Sequence, residues 1–329
     1  MEVGAPIYHY RGQNGIPLAQ AGIGHLRWHN TAMATYMAVG DDGTIVCNGQ
    51  GCSGGQTSGT GKHLLGVARA GINRTNGSPL MLAVGDDGTC LRFASDGEWQ
   101  NLPTNTSRDL HAVSFAPKTR VAWLVGDDGT ILKTTNGGSS FGVQTSNTSK
   151  HLRSVWVVNE QLAYACGDAV EVWRTENGGV TWVRIHHGVP AGGAGTGTTS
   201  ITGGNFLGIH AVADKVMVVG WNGAVLLSGD RGAHWNAKKI TSKTLRAGWL
   251  GDDGFAIVVG ADGAMFTNPP GPTSWTERDS GTSRHLNGVI RAGNSLVVVG
   301  DEGEVLRSAD QGATWTKGTR GSKHLHAVA

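Results

Sequence analysis

A unit of about 40 residues recurs from one end of the chain to the other, and a repeat of that length confines the fold to solenoids, propellers or arrays. The clearest copy reads Val125-Gly126-Asp127-Asp128-Gly129-Thr130-Ile131-Leu132-Lys133-Thr134-Thr135-Asn136-Gly137-Gly138-Ser139-Ser140-Phe141, and residues 166–182, 219–235 and 299–315 repeat it closely. Each copy reads as a short apolar strand, a tight turn, a second strand, a second turn and a third strand. The Asp-Gly and Asn-Gly turns are hairpin signals, because Gly accepts positive φ and Asx side chains bond their own backbone. A further strand precedes each copy, as in Lys150-His151-Leu152-Arg153-Ser154-Val155 and Lys62-His63-Leu64-Leu65-Gly66-Val67. A helix-free unit of four antiparallel strands, repeated around a ring, is a β-propeller blade. An open array would instead need polar capping repeats at both ends.

Counting the units sets the blade number. Opening strands centre on Leu26, Leu64, Leu110, Leu152, Ile209, Leu245, Leu286 and Leu325, and Val-Gly or equivalent turns end at Gly4, Gly40, Gly85, Gly126, Gly167, Gly220, Gly260 and Gly300. The two counts favour eight blades, with seven plus an extra terminal strand as the alternative. On this reading residues 1–329 are one domain, and residues 1–24 and 323–329 together make a composite closing blade. Joining N- and C-terminal strands removes the exposed sheet edges that an open ring would leave. Two insertions interrupt the pattern: 49–61, read as an extension of the first blade's outer hairpin, and the Gly/Thr-rich 186–205, read as a linker that cannot bury a core.

Four of the second turns carry a specific motif. Ser308-x-Asp310-x-Gly312-x-Thr314-Trp315 is a full Asp-box, and the turns holding Asn136, Asn177 and Asp230 are close variants, with Trp182 and Trp235 in the aromatic position of the last two. Asp-boxes following Val-Gly-Asp-x-Gly-x-Ile-Leu resemble those of the photosystem II assembly/stability factor-like propellers and, more distantly, of sialidase and sortilin propellers. The resemblance implies a BNR-type propeller along nearly the whole chain. The Asp-box residues themselves read as structural: the carboxylate or amide caps turn N–H groups and the aromatic ring packs beneath.

Charge and composition narrow the function. The chain has 329 residues, 53 of them Gly, and a formal net charge of +2. The glycines sit mostly in turns. A nearly balanced charge excludes a general nucleic-acid binder, which needs a basic stripe, and no apolar run is long enough to span a membrane. Met1-Glu2-Val3-Gly4-Ala5-Pro6 lacks the basic and apolar regions of a secretion signal, so cytoplasmic synthesis is expected, whereas the resemblance implies a leader or lipid anchor. Cys90 and Cys166 fall at strand positions and read as buried thiols. Cys47 and Cys52 could close a hairpin disulfide in an oxidising setting, and no Cys-x-x-Cys pair suggests zinc. No metal or cofactor is expected.

One constellation stands out. Basic residues lead into most opening strands, giving Lys62, His63, Arg108, Lys150, His151, Lys243, Arg284, His285, Lys323 and His324, followed by Arg27, His111, Arg153, His210, Arg246 and His326. In a propeller these loops surround one mouth of the axis, so the residues form a basic ring able to take a carboxylate, phosphate or acidic sugar. The acids of the Asp-Asp-Gly turns open onto the same face, however, and an inter-blade charge lattice is the favoured reading. The Trp221-Asn222 turn and Ala261 are where the acids fail. Catalysis finds little support, since a sialidase site needs an arginine cluster, a Tyr–Glu pair and an Asp acid. The expectation is therefore a non-enzymatic binding or scaffold propeller, in the setting of a virion or tail component, with protein partners in a larger assembly or a surface glycan. The alternative is an assembly or stability factor for a membrane protein complex, and a glycoside-acting enzyme ranks third.

Overall fold

Two glycines in six of the seven described units dictate how the chain turns. In the copy around Val125, Gly126 has an extended backbone, and a Cβ there would stand 2.0 Å from the Asp109 carbonyl oxygen at the start of the same blade. Gly129 lies at φ +70, beside Asp128 at φ +51, and its Cβ would meet the Thr148 carbonyl at 2.0 Å. Only glycine tolerates both the conformation and the approach. The computed structural model describes residues 36–49, 52–73, 79–93, 97–187, 201, 203–270 and 274–329.

These residues form seven four-stranded antiparallel sheets. We number the blades from the N-terminal side. Blade 1 joins Leu325–Val328 to Tyr36–Gly40, Ile45–Gly49 and Cys52–Gln56; blade 2 is Leu64–Asn73, Pro79–Gly85, Cys90–Phe93 and Trp99–Asn101. Blade 3 is Leu110–Phe115, Ala122–Gly126, Ile131–Thr134 and Gly142–Val143; blade 4 is Leu152–Val157, Ala163–Gly167, Glu171–Thr175 and Val183–His187. Blade 5 is Phe206–Val212, Lys215–Gly220, Ala224–Ser228 and Asn236–Lys239; blade 6 is Leu245–Leu250, Ala256–Gly260, Met265–Asn268 and Thr276–Glu277; blade 7 is Leu286–Ala292, Ser295–Gly300, Glu304–Ser308 and Thr316–Thr319. The first strand of each blade is innermost, and these strands touch one another in cyclic order from blade 1 to blade 7 and back.

Each pair of neighbouring blades shares a hydrophobic core. Leu82 and Val84 of blade 2 meet Leu124 and Leu132 of blade 3, and Trp123 of blade 3 meets Trp173 and Trp182 of blade 4. The ring closes through Tyr36, Ala38, Val297, Val299, Leu325 and Val328, between blades 7 and 1. Strands buried on both faces explain the continuous apolar runs, such as the wholly buried Ala122–Gly126.

The blade count corrects the sequence reading. The expected eighth blade required Leu325–Val328 to open a composite blade with residues 1–24. Instead that strand pairs with Tyr36–Gly40, Ala38 facing Val328 and Val39 facing Ala327, and becomes the innermost strand of blade 1. With that place filled, the ring is complete at seven. Gly4, Leu26 and the rest of residues 1–35 lie outside the described residues. The supposed extension at 49–61 is also reassigned, because Cys52–Gln56 is the fourth strand of blade 1, paired in register with Ile45–Gly49. Cys47 is disulfide-bonded, whereas Cys90 and Cys166 are buried free thiols whose pKa burial raises, to about 12 for Cys90.

Asp-boxes occupy turns between third and fourth strands. In blade 7, Thr314 N–H and hydroxyl donate to the Asp310 carboxylate at 2.9 and 2.5 Å, and Gly312 N–H donates to Ser308 Oγ at 2.7 Å. The two Thr314 donors, with the Ser308 hydroxyl, hold Asp310 down at about 2. In blade 4 an amide does the same work: Thr181 N–H donates to Asn177 Oδ1 at 3.0 Å, and Trp182 is buried below.

Candidate functional site

The lead-in to each inner strand meets the turn between the second and third strands of the preceding blade. The left-handed residue of that turn aims its amide at the next blade. Asp42, Asp128, Asp262 and Glu302 N–H lie within 3.4 Å of Nδ1 of His63, His151, His285 and His324. Where Asp109 or Asn205 replaces the histidine the acceptor persists: Asp87 N–H donates to Asp109 Oδ1 at 2.8 Å, and Ala169 N–H to Asn205 Oδ1 at 3.3 Å. The histidines of the basic ring thus stitch neighbouring blades together.

Most of the ring's other cations face acids. Lys62 pairs with Asp87, Arg108 with Asp128 and Lys323 with Asp42, while Arg284 contacts both Glu302 and the fully buried Glu304. The hydrogen bonds from Lys62 to Asp87 and from Lys323 to Asp42 hold both ammoniums above their ordinary range. Nearer the axis, Arg153 forks onto Asp168 at 3.0 and 3.1 Å. His111 Nε2 lies 2.7 Å from Asp127, His326 Nε2 lies 2.7 Å from Asp41, and Asn287 Nδ2 donates to Asp301 at 2.9 Å. Exposed pairs contribute only about 0–1 kcal/mol each, but together they neutralise the mouth around blades 1–3 and 7. Arg27 lies outside the described residues.

Blades 4–6 break this lattice. Their turns read Asp168-Ala169-Val170, Trp221-Asn222-Gly223 and Ala261-Asp262-Gly263. Among the described residues, Lys150 meets no carboxylate. Lys243 Nζ donates to the Asp262 backbone carbonyl at 2.9 Å. Arg246 Nη1 donates to Asn287 Oδ1 at 3.0 Å, and its buried Nε has no partner. In blade 5 the polar set is exchanged as a group. Leu207 stands where blade 4 has Arg153, Trp221 where it has Asp168, and Thr244 of blade 6 where the lead-ins of blades 1, 2, 4 and 7 carry His. Trp221 is 47 % exposed and lies against Gly204, where a Cβ would come 3.0 Å from the Trp221 Cβ.

Three residues further along the inner strands, the same blades present Trp156, His210 and Trp249. The imidazole stacks 3.8 Å from the Trp156 ring and 5.9 Å from that of Trp249, and Arg291 of blade 7 covers Trp249 at 5.5 Å. The corresponding residues of the other blades are Ala68, Ser114, Ile290 and Ala329. His210 is buried, neither ring nitrogen has a partner among the described residues, and burial lowers its pKa to about 3. This position corrects the sequence reading, which put His210 in the mouth ring. Phe206 pairs with Gly220 as Leu152 does with Gly167, so Phe206, not Ile209, is the opening residue of the strand. His186, read as the start of the 186–205 linker, is buried in the fourth strand of blade 4, with Nδ1 3.0 Å from the Val170 carbonyl. Val170 itself sits at φ +52, where the other blades have Gly. Of the 186–205 insertion, residues 188–200 and 202 lie outside the described residues.

The match to known families follows the blades. The family model described as Photosynthesis system II assembly factor YCF48 matches residues 91–292. The chain belongs to that family. Among solved structures, it resembles YCF48 bound to D1 peptide at 18% identity, with 78% of this chain and 82% of that one covered and a TM-score of 0.59. YCF48 from Cyanidioschyzon merolae gives 17% identity, 80% and 87% coverage and a TM-score of 0.62. A GH74 enzyme of Niastella koreensis matches at 20% identity and a TM-score of 0.60, over 78% of this chain and 45% of that one. At these identities the structural likenesses speak to fold alone. No curated protein matches the sequence. Among the described residues no helix is long and apolar enough to cross a membrane, and no group of three or more His, Cys, Asp or Glu is placed to hold a metal ion.

The family's propeller frame thus holds a site whose departures from the repeat were partly visible in sequence, at Trp221 and Ala261. The Trp156–His210–Trp249 arc was missed. Its signal is an aromatic residue four places after each opening residue in three successive blades, legible only once Phe206 is taken as that residue.

Proposed function

We propose that this protein is a non-enzymatic assembly or stability factor, holding a segment of a membrane-complex client at the mouth formed by blades 4–6. Membership of the YCF48 family supports this reading over that of a virion or tail component, and one similar family structure holds a D1 peptide. The observation that carries it is the local loss of acids. Lys150 and Arg246 lack carboxylate partners, while equivalent cations elsewhere in the ring have them. A mouth that is neutralised on one side and left positive on the other draws an acidic segment to the positive side. His151, Arg153 and Lys243 lie in that sector and Arg284 and His285 border it on blade 7, whereas Lys62, His63, Arg108, Lys323 and His324 belong to the neutralised side.

The test is an affinity pull-down from the native source with mass spectrometry, using the native sequence and Lys150→Ala with Arg246→Ala. The reading predicts a membrane-complex subunit recovered by the first and depleted with the second, at unchanged thermal unfolding. Recovery of a particle's structural protein, or equal recovery by both chains, contradicts it.

A further inference from the structure

The exchange in blade 5 is coordinated, and that is informative in a repeat protein, where each blade is a control for the others. In blade 4, Arg153 and Asp168 form a bidentate pair at 3.0 and 3.1 Å. Losing one member would strand the other's charge. Blade 5 loses both and gains Leu207 and Trp221, whereas blade 2, with Leu65 at the same inner-strand position, keeps Asp86; the lead-in of blade 6 carries Thr244 where four others carry His. Leu207 is half-buried and belongs to none of the inter-blade cores, and Trp221 is the one large aromatic among the described residues that is strongly exposed. Nothing in the ring's own packing calls for this apolar pair.

Three residues beyond Arg153, Leu207 and Arg246 on the inner strands of blades 4–6 stand Trp156, His210 and Trp249, with Trp156 and Trp249 half-buried and His210 buried between them. Across the axis at that level stand Ala68, Ser114 and Ala329, all small. Burial keeps the imidazole neutral at physiological pH, so this wall repels no apolar group by charge. Arg153 and Arg246 flank Leu207 on the neighbouring inner strands.

We propose that Trp221 and Leu207, continued by Trp156, His210 and Trp249, form an apolar strip that seats one apolar side chain of an acidic peptide segment, with Lys150 and Arg246 engaging carboxylates on either side. The assignment rests on the client-binding reading above and adds the residue type that the site selects. Charge complementarity identifies the occupant as acidic, and the strip requires an apolar anchor within it. Aromatic anchors in such settings dominate binding energies.

The test uses the full chain and fluorescein-labelled synthetic peptides in which one leucine is flanked by aspartates, with counterparts carrying serine for leucine or asparagine for aspartate. Leu207→Arg with Trp221→Asp rebuilds the blade 4 pair and so leaves the ring a partner-satisfied mouth. By anisotropy, the native sequence should bind the parent peptide about tenfold or more tightly than either counterpart. The double variant should unfold as before, and should bind the leucine and serine peptides alike. Failure of the native sequence to distinguish leucine from serine overturns the strip, as does a double variant that keeps the preference. Pull-down separates the two ideas. If both chains recover the client equally, client binding stands and the strip falls. If the native sequence recovers no membrane-complex subunit, the client-binding reading fails and the strip with it.

Discussion

Replacing Leu325 by Ala should weaken the whole ring, although the residue lies only four places before Ala329. Its side chain is fully buried in the core between blades 7 and 1, with Val297, Val299 and Tyr36, and its carbonyl accepts a hydrogen bond from Asn287 Nδ2 at 2.9 Å. Buried Leu→Ala changes cost about 2–5 kcal/mol, through lost transfer energy and the cavity left behind. The neighbouring strands are tied by backbone pairs such as Met37 with Ala329, both at 2.8 Å, and so cannot collapse freely. We expect roughly 3 kcal/mol, which for a domain of this size lowers Tm by several degrees at about 2–4 °C per kcal/mol. Urea unfolding followed by tryptophan fluorescence reads it, with Val143→Ala as control, since Val143 is 79% exposed. A loss below about 1 kcal/mol for Leu325→Ala would refute the closure of the ring by this strand.

Other outcomes follow from the same physics. Gly129→Ala must place a Cβ 2.0 Å from the Thr148 carbonyl at φ +70; a loss of roughly 2 kcal/mol or more in urea unfolding is expected. Glu304→Gln removes a fully buried carboxylate that faces Arg284 at 3.1 Å and Lys317 at 2.9 Å; these partners are partly solvated, so about 1–3 kcal/mol should be lost. His210 has a folded-state pKa of about 3 against 6.5 unfolded. Below 6.5 the unfolded chain therefore takes up a proton that the folded chain refuses, and stability falls by about 1.4 kcal/mol per pH unit from 6.5 towards 3. His210→Phe should flatten that part of the stability–pH curve, and an unchanged slope would show that the imidazole is not buried.

The strand content of the fold was legible because each unit announces its turns chemically. Asp128-Gly129 and its counterparts need left-handed backbone, and the Val-Gly step needs a missing Cβ, so these residues recur where the geometry recurs. Blade number was not legible, because it depends on which strand Leu325–Val328 pairs with. A single apolar strand of that composition fits a new blade or an old one equally well, and only the register of Ala38 against Val328 decides. The charge pattern of the mouth was readable as a pairing of acids and bases. What sequence could not assign was the blade to which each pair belongs: Lys62 pairs within its blade, whereas His63 reaches back to the preceding one. His210 was misplaced for a local reason: blade 5 shares the bulge of the other inner strands, but Phe206 stands in place of the usual leucine, so Ile209 was taken for the opening residue.

Photocrosslinking from the mouth tests the central claim most directly. A benzophenone side chain placed at Trp221 in blade 5, and separately at Asp87 in blade 2, would be activated in the native source and the adducts identified by mass spectrometry. A membrane-complex subunit crosslinked from position 221 and not from position 87 is the predicted result. Crosslinking of that subunit from position 87 alone, or from neither position while it still co-purifies, would place the client elsewhere and contradict the account.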